Sequence, residues 1–198
     1  MKNISGFMFV AVALLAFSNF ANAEDIYPIS EKAVGSSTNG EGRPAWVSET
    51  DPVTLRDGKY IFVGYSEVPI KSRARRAYRA SDAQAKAEYA ALVETNLTRI
   101  VSISESGLEL EDIDVSSFIQ ESSRLSLNSI LVTKRYWERV IETNNDDSER
   151  GLLKVFSLIE VAEKDLKNEV KKAVKNSNTP SRFKAQMEVL VVQEWADV

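Results

Sequence analysis

Apolar residues recur along this chain at two spacings, and the spacings divide it into elements. Tyr60-Ile61-Phe62-Val63 is an aromatic, β-branched run that follows the turn pair Asp57-Gly58. It predicts a buried strand from Lys59 to Gly64, with Pro69 as its stop. Eight alanines between 74 and 91 then mark a long helix from about Ser72, its expected N-cap, to Ser104, with Gly107 beyond its end. At 100° per residue, Tyr78, Ala85, Tyr89, Leu92, Val93 and Ile100 fall on one stripe, as a helix lying on a sheet requires. Val115–Ser123 reads as a short helix or an irregular turn. Ile130 to Ile141 alternates as a strand, with Ile130, Val132, Tyr136 and Val140 on one side and Leu131 and Trp137 on the other. Leu152 to Val161 alternates again, and the polar stretch 142–150 between the two runs predicts an antiparallel hairpin. A helix is expected from about Glu163 to Lys175. After Thr179-Pro180, Phe183, Met187, Leu190, Val191 and Trp195 repeat at helical spacing. No internal repeat of fixed period is present. The order predicts an α+β fold: a three-stranded antiparallel-type sheet wrapped on one long Ala-rich helix, plus C-terminal helices.

The start of the chain reads as an address. Met1-Lys2-Asn3 is cationic, Phe7–Phe17 is apolar, and Ala21-Asn22-Ala23 has the small-x-small pattern of a signal-peptidase site. Cleavage is expected after Ala23, because the apolar run is well short of the ~20 residues that span a bilayer. Residues 24–43 include Gly35-Ser36-Ser37-Thr38-Asn39-Gly40 and read as a flexible N-terminal arm. A single α+β domain is expected over 44–176, and a C-terminal amphipathic helix over 177–198. That helix could dock on the domain or on a neighbouring subunit.

Composition narrows the chemistry. The 198 residues contain no Cys and no His, which excludes Ser-His-Asp and Cys-His catalysis, thiol redox chemistry, disulfides and zinc fingers. Neither a P-loop, a dinucleotide fingerprint nor a nucleophile elbow is present. The chain is not expected to be an enzyme, and no cofactor or metal is expected. Asp112 and Asp114, and Asp146 and Asp147, lack calcium-loop spacing. Paired carboxylates in a loop also lack the facing geometry of glycoside hydrolysis. The net charge of −4 argues against nucleic acid as a partner. One local exception is Lys71, Arg73, Arg75, Arg76 and Arg79, five cations in nine residues at the start of the long helix. They oppose the helix dipole. Three readings stand: a solvated face paired with Asp82, Glu88 and the acidic hairpin loop, an acidic protein partner, or an anionic glycan or lipid. Trp46 and Trp195 join the candidate contact residues, while Arg135-Tyr136-Trp137 reads as packing or as a stacking platform.

A secretory signal without cysteine points to a bacterial envelope protein, periplasmic or secreted. The sequence Pro44-Ala45-Trp46, then Tyr60-Ile61-Phe62-Val63-Gly64-Tyr65-Ser66, then the Ala-rich helix, is similar to the LPP-twenty surface-lipoprotein family. The likeness continues through Arg135-Tyr136-Trp137 and through a second strand running straight into a helix, Leu153 to Val170, and covers roughly residues 44–175. The resemblance implies an envelope location, association with the outer membrane and strands cradling a helix. It also implies roles such as flagellar basal-body rings, flagellar assembly or surface antigens. No catalytic residue comes with it. The chain departs from the family in lacking the lipid-acceptor cysteine, so lipid anchoring is not expected. The leading expectation is therefore a structural or assembly protein binding envelope proteins, flagellar components or itself, with peripheral outer-membrane or peptidoglycan contact. The alternative is an anionic glycan- or lipid-binding module that uses residues 71–79.

Overall fold

The computed structural model describes residues 30–38, 42–48, 51–104 and 113–195. The expected signal peptide, the first residues of the arm and Gly107 lie outside them. One antiparallel sheet carries the fold, in the order β1 (Ser30–Ser36), β4 (Lys134–Thr143), β5 (Glu149–Ala162), β3 (Lys59–Pro69) and β2 (Val53–Arg56). The α+β class stands, but the sheet has five strands rather than three. The two extra strands are its edges. β2 spans only four residues and hairpins onto β3, with Asp57 and Gly58 both at positive φ (51° and 69°), as a two-residue primed turn requires. β1 lies inside the expected flexible arm. Its side chains are exposed or half-exposed, so no apolar alternation marks it, yet its backbone pairs with β4 from Ser30↔Thr143 to Ser36↔Glu138.

The four α-helices among the described residues cover one face of the sheet. α1 (Ala74–Ser104) lies on β3 and β5, α2 (Val115–Ser126) packs on α1 and α3 (Glu163–Asn176), and α3 packs on α4 (Ser181–Gln193). Ser72 does not cap α1. Its N–H donates to the Pro69 carbonyl at 2.7 Å within the connecting turn. Asp114 caps α2, accepting from the Ser117 N–H at 3.0 Å. Ile130 and Val132 precede β4. The 3₁₀ turn Leu127–Ser129 turns Ile130 into the helical core instead. That core joins Tyr60 and Phe62 of β3 and Ile159 of β5 to Tyr89, Val93 and Leu97 of α1. Phe183, Met187, Val191 and Trp195 complete it, so the C-terminal helix docks on the domain's own core.

Small residues decide how closely α1 approaches. Ala77, Ser81 and Ala85 are fully buried against the strands. A Cβ on Gly64 would stand 2.0 Å from the Ser81 carbonyl oxygen and 2.4 Å from the Ala85 nitrogen. Helix and strand thus touch backbone to backbone. Among the described residues, the opposite sheet face is covered by the 3₁₀ turn Ala45–Val47 and its neighbours, with Trp46 and Val47 over Val63, Tyr136, Phe156 and Leu158.

Candidate functional site

Two surfaces concentrate charge, one at the start of α1 and one on the open sheet face. At the first, Lys71 and Arg73 lie in the turn before α1, and Arg75, Arg76 and Arg79 lie on its first turns. All five are exposed. Helical geometry places the three helical arginines within an arc of about 100°. That arc lies opposite the buried stripe of Ala77, Ser81 and Ala85. The first turn of α1 contains no acid, and none of the five cations forms a salt bridge with a described residue. Asp82, an expected partner, is held elsewhere. It accepts from Arg135 Nε at 2.9 Å and Nη2 at 2.8 Å, and from the Ser157 hydroxyl at 2.6 Å. Burial pushes the Asp82 carboxyl up, but the bonds from Arg135 and Ser157 outweigh it and hold the group below the usual carboxylate range. Glu88, the second expected partner, also lacks a salt bridge among the described residues. In the hairpin loop, Asp146 accepts from the Ser148 N–H at 3.0 Å. Each nearby acid is therefore committed or apart, and the basic ridge faces solvent.

The two tryptophan candidates lie apart from this ridge. Trp46 packs half-buried on the open sheet face. Trp195 is only 7% exposed, and its Nε1–H donates to Tyr60 Oη at 3.2 Å. Its helical spacing is as expected, but the stripe points into the chain's own core. Trp137 packs beside Ala77, Leu153 and Val155, with the Arg139 guanidinium 5.6 Å from its ring centroid.

The second charged surface was not anticipated. On the open face, Glu138 and Glu142 are each 3% exposed. Glu142 accepts from Arg150 Nε at 2.8 Å and lies 3.0 Å from Lys154 Nζ, which also reaches Glu31 at 2.7 Å. Glu138 accepts from the Arg43 guanidinium and from the Tyr136 hydroxyl, the latter at 3.0 Å. Burial pushes Glu142 up, and its bonds from Lys154 and Arg150 more than reverse that, leaving it lowered. Burial likewise lowers Lys154, and its bonds to Glu31 and Glu142 raise it overall. These charges pin residues from the expected arm, Glu31 and Arg43, to strands about a hundred positions away. The available signal is a cross-strand pattern: Glu138 sits opposite Lys154 and Glu142 opposite Arg150.

The two surfaces differ in what they leave unsatisfied. The open-face charges neutralise one another and act as a clamp. The ridge cations have no counter-charge among the described residues and are free to meet one. Among those residues, no group of three or more acidic side chains is placed to hold a metal ion, and no helix is long and apolar enough to cross a membrane. No family model, curated protein or solved structure matches this chain.

Proposed function

We propose that this chain is a non-enzymatic structural or assembly protein of the bacterial envelope, acting in the periplasm by protein–protein contact through the basic start of α1. The observation that carries the reading is the ridge itself. Five exposed cations stand at the start of a helix clamped to the sheet, two in the preceding turn and three on its first turns, and no described residue neutralises them. Clustered charge at the positive end of a helix dipole costs stability and focuses a positive potential outward. An acidic partner surface offsets that cost when it binds. Envelope proteins, flagellar basal-body components among them, or a second copy of the chain are the partners this reading names. The same ridge also suits an anionic glycan or lipid.

Crosslinking pull-down of the mature protein from intact cells tests the reading, comparing wild type with the triple change Arg75→Glu, Arg76→Glu and Arg79→Glu. These positions are exposed, so the triple variant is expected to keep its fold. Loss of envelope partners in the variant supports protein contact. Identical partner sets from both proteins would refute it. Sedimentation with purified cell wall or anionic vesicles, weakened by salt and by the same changes, would assign the ridge to the glycan or lipid reading instead.

A further inference from the structure

The two outer strands of the sheet are held by different means. Val53 and Leu55 of β2 pack against the helical core. No residue of β1 belongs to any of the buried apolar clusters, and its side chains are exposed or half-exposed. Among the described strands its ladder meets β4 alone, with a register break between Ala33 and Gly35. Just past it, the Ser37 N–H donates to the Trp137 carbonyl at 2.9 Å, and Thr38 Oγ1 donates to the Gly42 carbonyl at 2.9 Å. Charge enters through Glu31, which accepts from Lys154 Nζ at 2.7 Å and lies 3.7 Å from the Arg43 guanidinium. A groove of about 660 Å³, lined by β1, Gly42, Arg43 and Tyr136–Glu138, separates the strand from the residues that follow it. The charges beneath β1 keep partners without it. Glu142 retains Arg150 and Lys154, and Glu138 retains Arg43 and the Tyr136 hydroxyl. Departure of β1 therefore orphans no buried charge, and an orphaned charge is what makes a broken ion pair expensive.

We propose that β1 is a releasable strap, latched by Glu31 on Lys154, that leaves the sheet as a unit while the rest of the domain stays folded. Segments with few buried apolar contacts open below the free energy of global unfolding, and β1 has that character. Release bares the outer edge of β4 from Trp137 to Thr143 and leaves the helical core and the Glu142–Arg150 pair in place. Half of the latch is exposed to water, so salt weakens it. The strap lies apart from the basic ridge, and its failure leaves the ridge reading untouched.

Native-state hydrogen exchange of the mature protein tests this. The Trp137 carbonyl faces Ser37, so the alternate residues Arg139, Ile141 and Thr143 turn their amides towards β1. In wild type these three are expected to exchange at least about a hundredfold faster than Phe62 and its partner Ile159 at the sheet centre, and to respond little to low urea. Glu31→Gln is expected to speed the three amides about fivefold. Ile159→Val weakens a fully buried contact that the opened form keeps. It is expected to speed exchange at Phe62 about fivefold and to leave the three β1-facing amides unchanged. One common rate for both sets of amides would overturn the strap, as would β1-facing amides that follow Ile159→Val. Unchanged exchange in Glu31→Gln would overturn Glu31 as its latch.

Discussion

Replacing Gly64 with alanine tests whether backbone contact between β3 and α1 sets the depth of the core. The added Cβ would meet the Ser81 carbonyl oxygen at 2.0 Å, the Ala85 nitrogen at 2.4 Å and the Ala85 Cα at 3.0 Å. Real Cβ contacts essentially never fall below 3.0 Å, so the helix and strand must separate by about 1 Å at this point. All three opposing atoms are backbone, and none can rotate away. Ordinary overpacking costs about 1–3 kcal/mol because side chains absorb part of the strain. With that relief absent, a loss of about 3 kcal/mol is expected. Separation also loosens Tyr60 and Phe62 against Tyr89, which stacks edge-on to Phe62 at 5.3 Å. For a domain of this size the loss corresponds to a fall in Tm of roughly 6–12 °C. Urea and thermal unfolding measure it. Gly35→Ala is the control, since nothing lies within 4 Å of a Cβ there, and it is expected to stay within ~0.5 kcal/mol of wild type. A Gly64→Ala protein as stable as the Gly35→Ala protein would refute close backbone packing.

Three further outcomes test other parts of the structure. Glu142 has a lowered folded-state pKa, so its stabilisation is complete above the ordinary value of 4.5 and is lost as pH falls through the lower folded value. Glu142→Gln should therefore flatten the acid limb of a urea-midpoint profile and cost about 2 kcal/mol at neutral pH, less than a fully orphaned pair because Lys154 keeps Glu31; parallel profiles would count against the clamp. Trp195→Ala should cost about 3 kcal/mol in chemical unfolding. A loss near zero would show that Trp195 faces outward after all. Arg75, Arg76 and Arg79 changed together to Glu should leave the urea midpoint within ~0.5 kcal/mol of wild type, and a large fall would mean that the ridge has internal partners.

Much of this architecture is legible from residue order, and the exceptions have physical causes. Of the expected stripe, Ala85, Tyr89, Leu92, Val93 and Ile100 are buried as their spacing implies, because a helix on a sheet has one apolar side, while Tyr78 is only half-buried. The β4–β5 hairpin is legible because β4 alternates, β5 is apolar along most of its length and buried on both faces, and the polar loop between them is short. β1 is illegible because an outer strand needs no apolar side chains when its ladder and two ion pairs hold it. The open-face clamp depends on which residues lie opposite one another, and register is not a property of any single segment. Trp195 shows a different limit. Spacing identifies an apolar stripe but does not say whether the same chain or another one covers it. The five cations were visible as a cluster, but that Asp82 answers to Arg135 depends on β4 lying beside α1.

The order of strands in the sheet has a consequence for when the protein can fold. Among the described strands, β1 pairs with Lys134–Thr143, and β3 finds its longer neighbour at Glu149–Ala162. A growing chain that has reached the end of α1 holds no more of the sheet than the β2–β3 hairpin, and such a two-stranded ribbon is marginal alone in water. The β4–β5 hairpin is the first part able to receive both flanks, and it arrives only after α1 and α2 have been made. Closing loops of about a hundred residues makes assembly slow compared with local helix formation. The sheet is therefore built to remain unassembled until its central strand, β5, has been made.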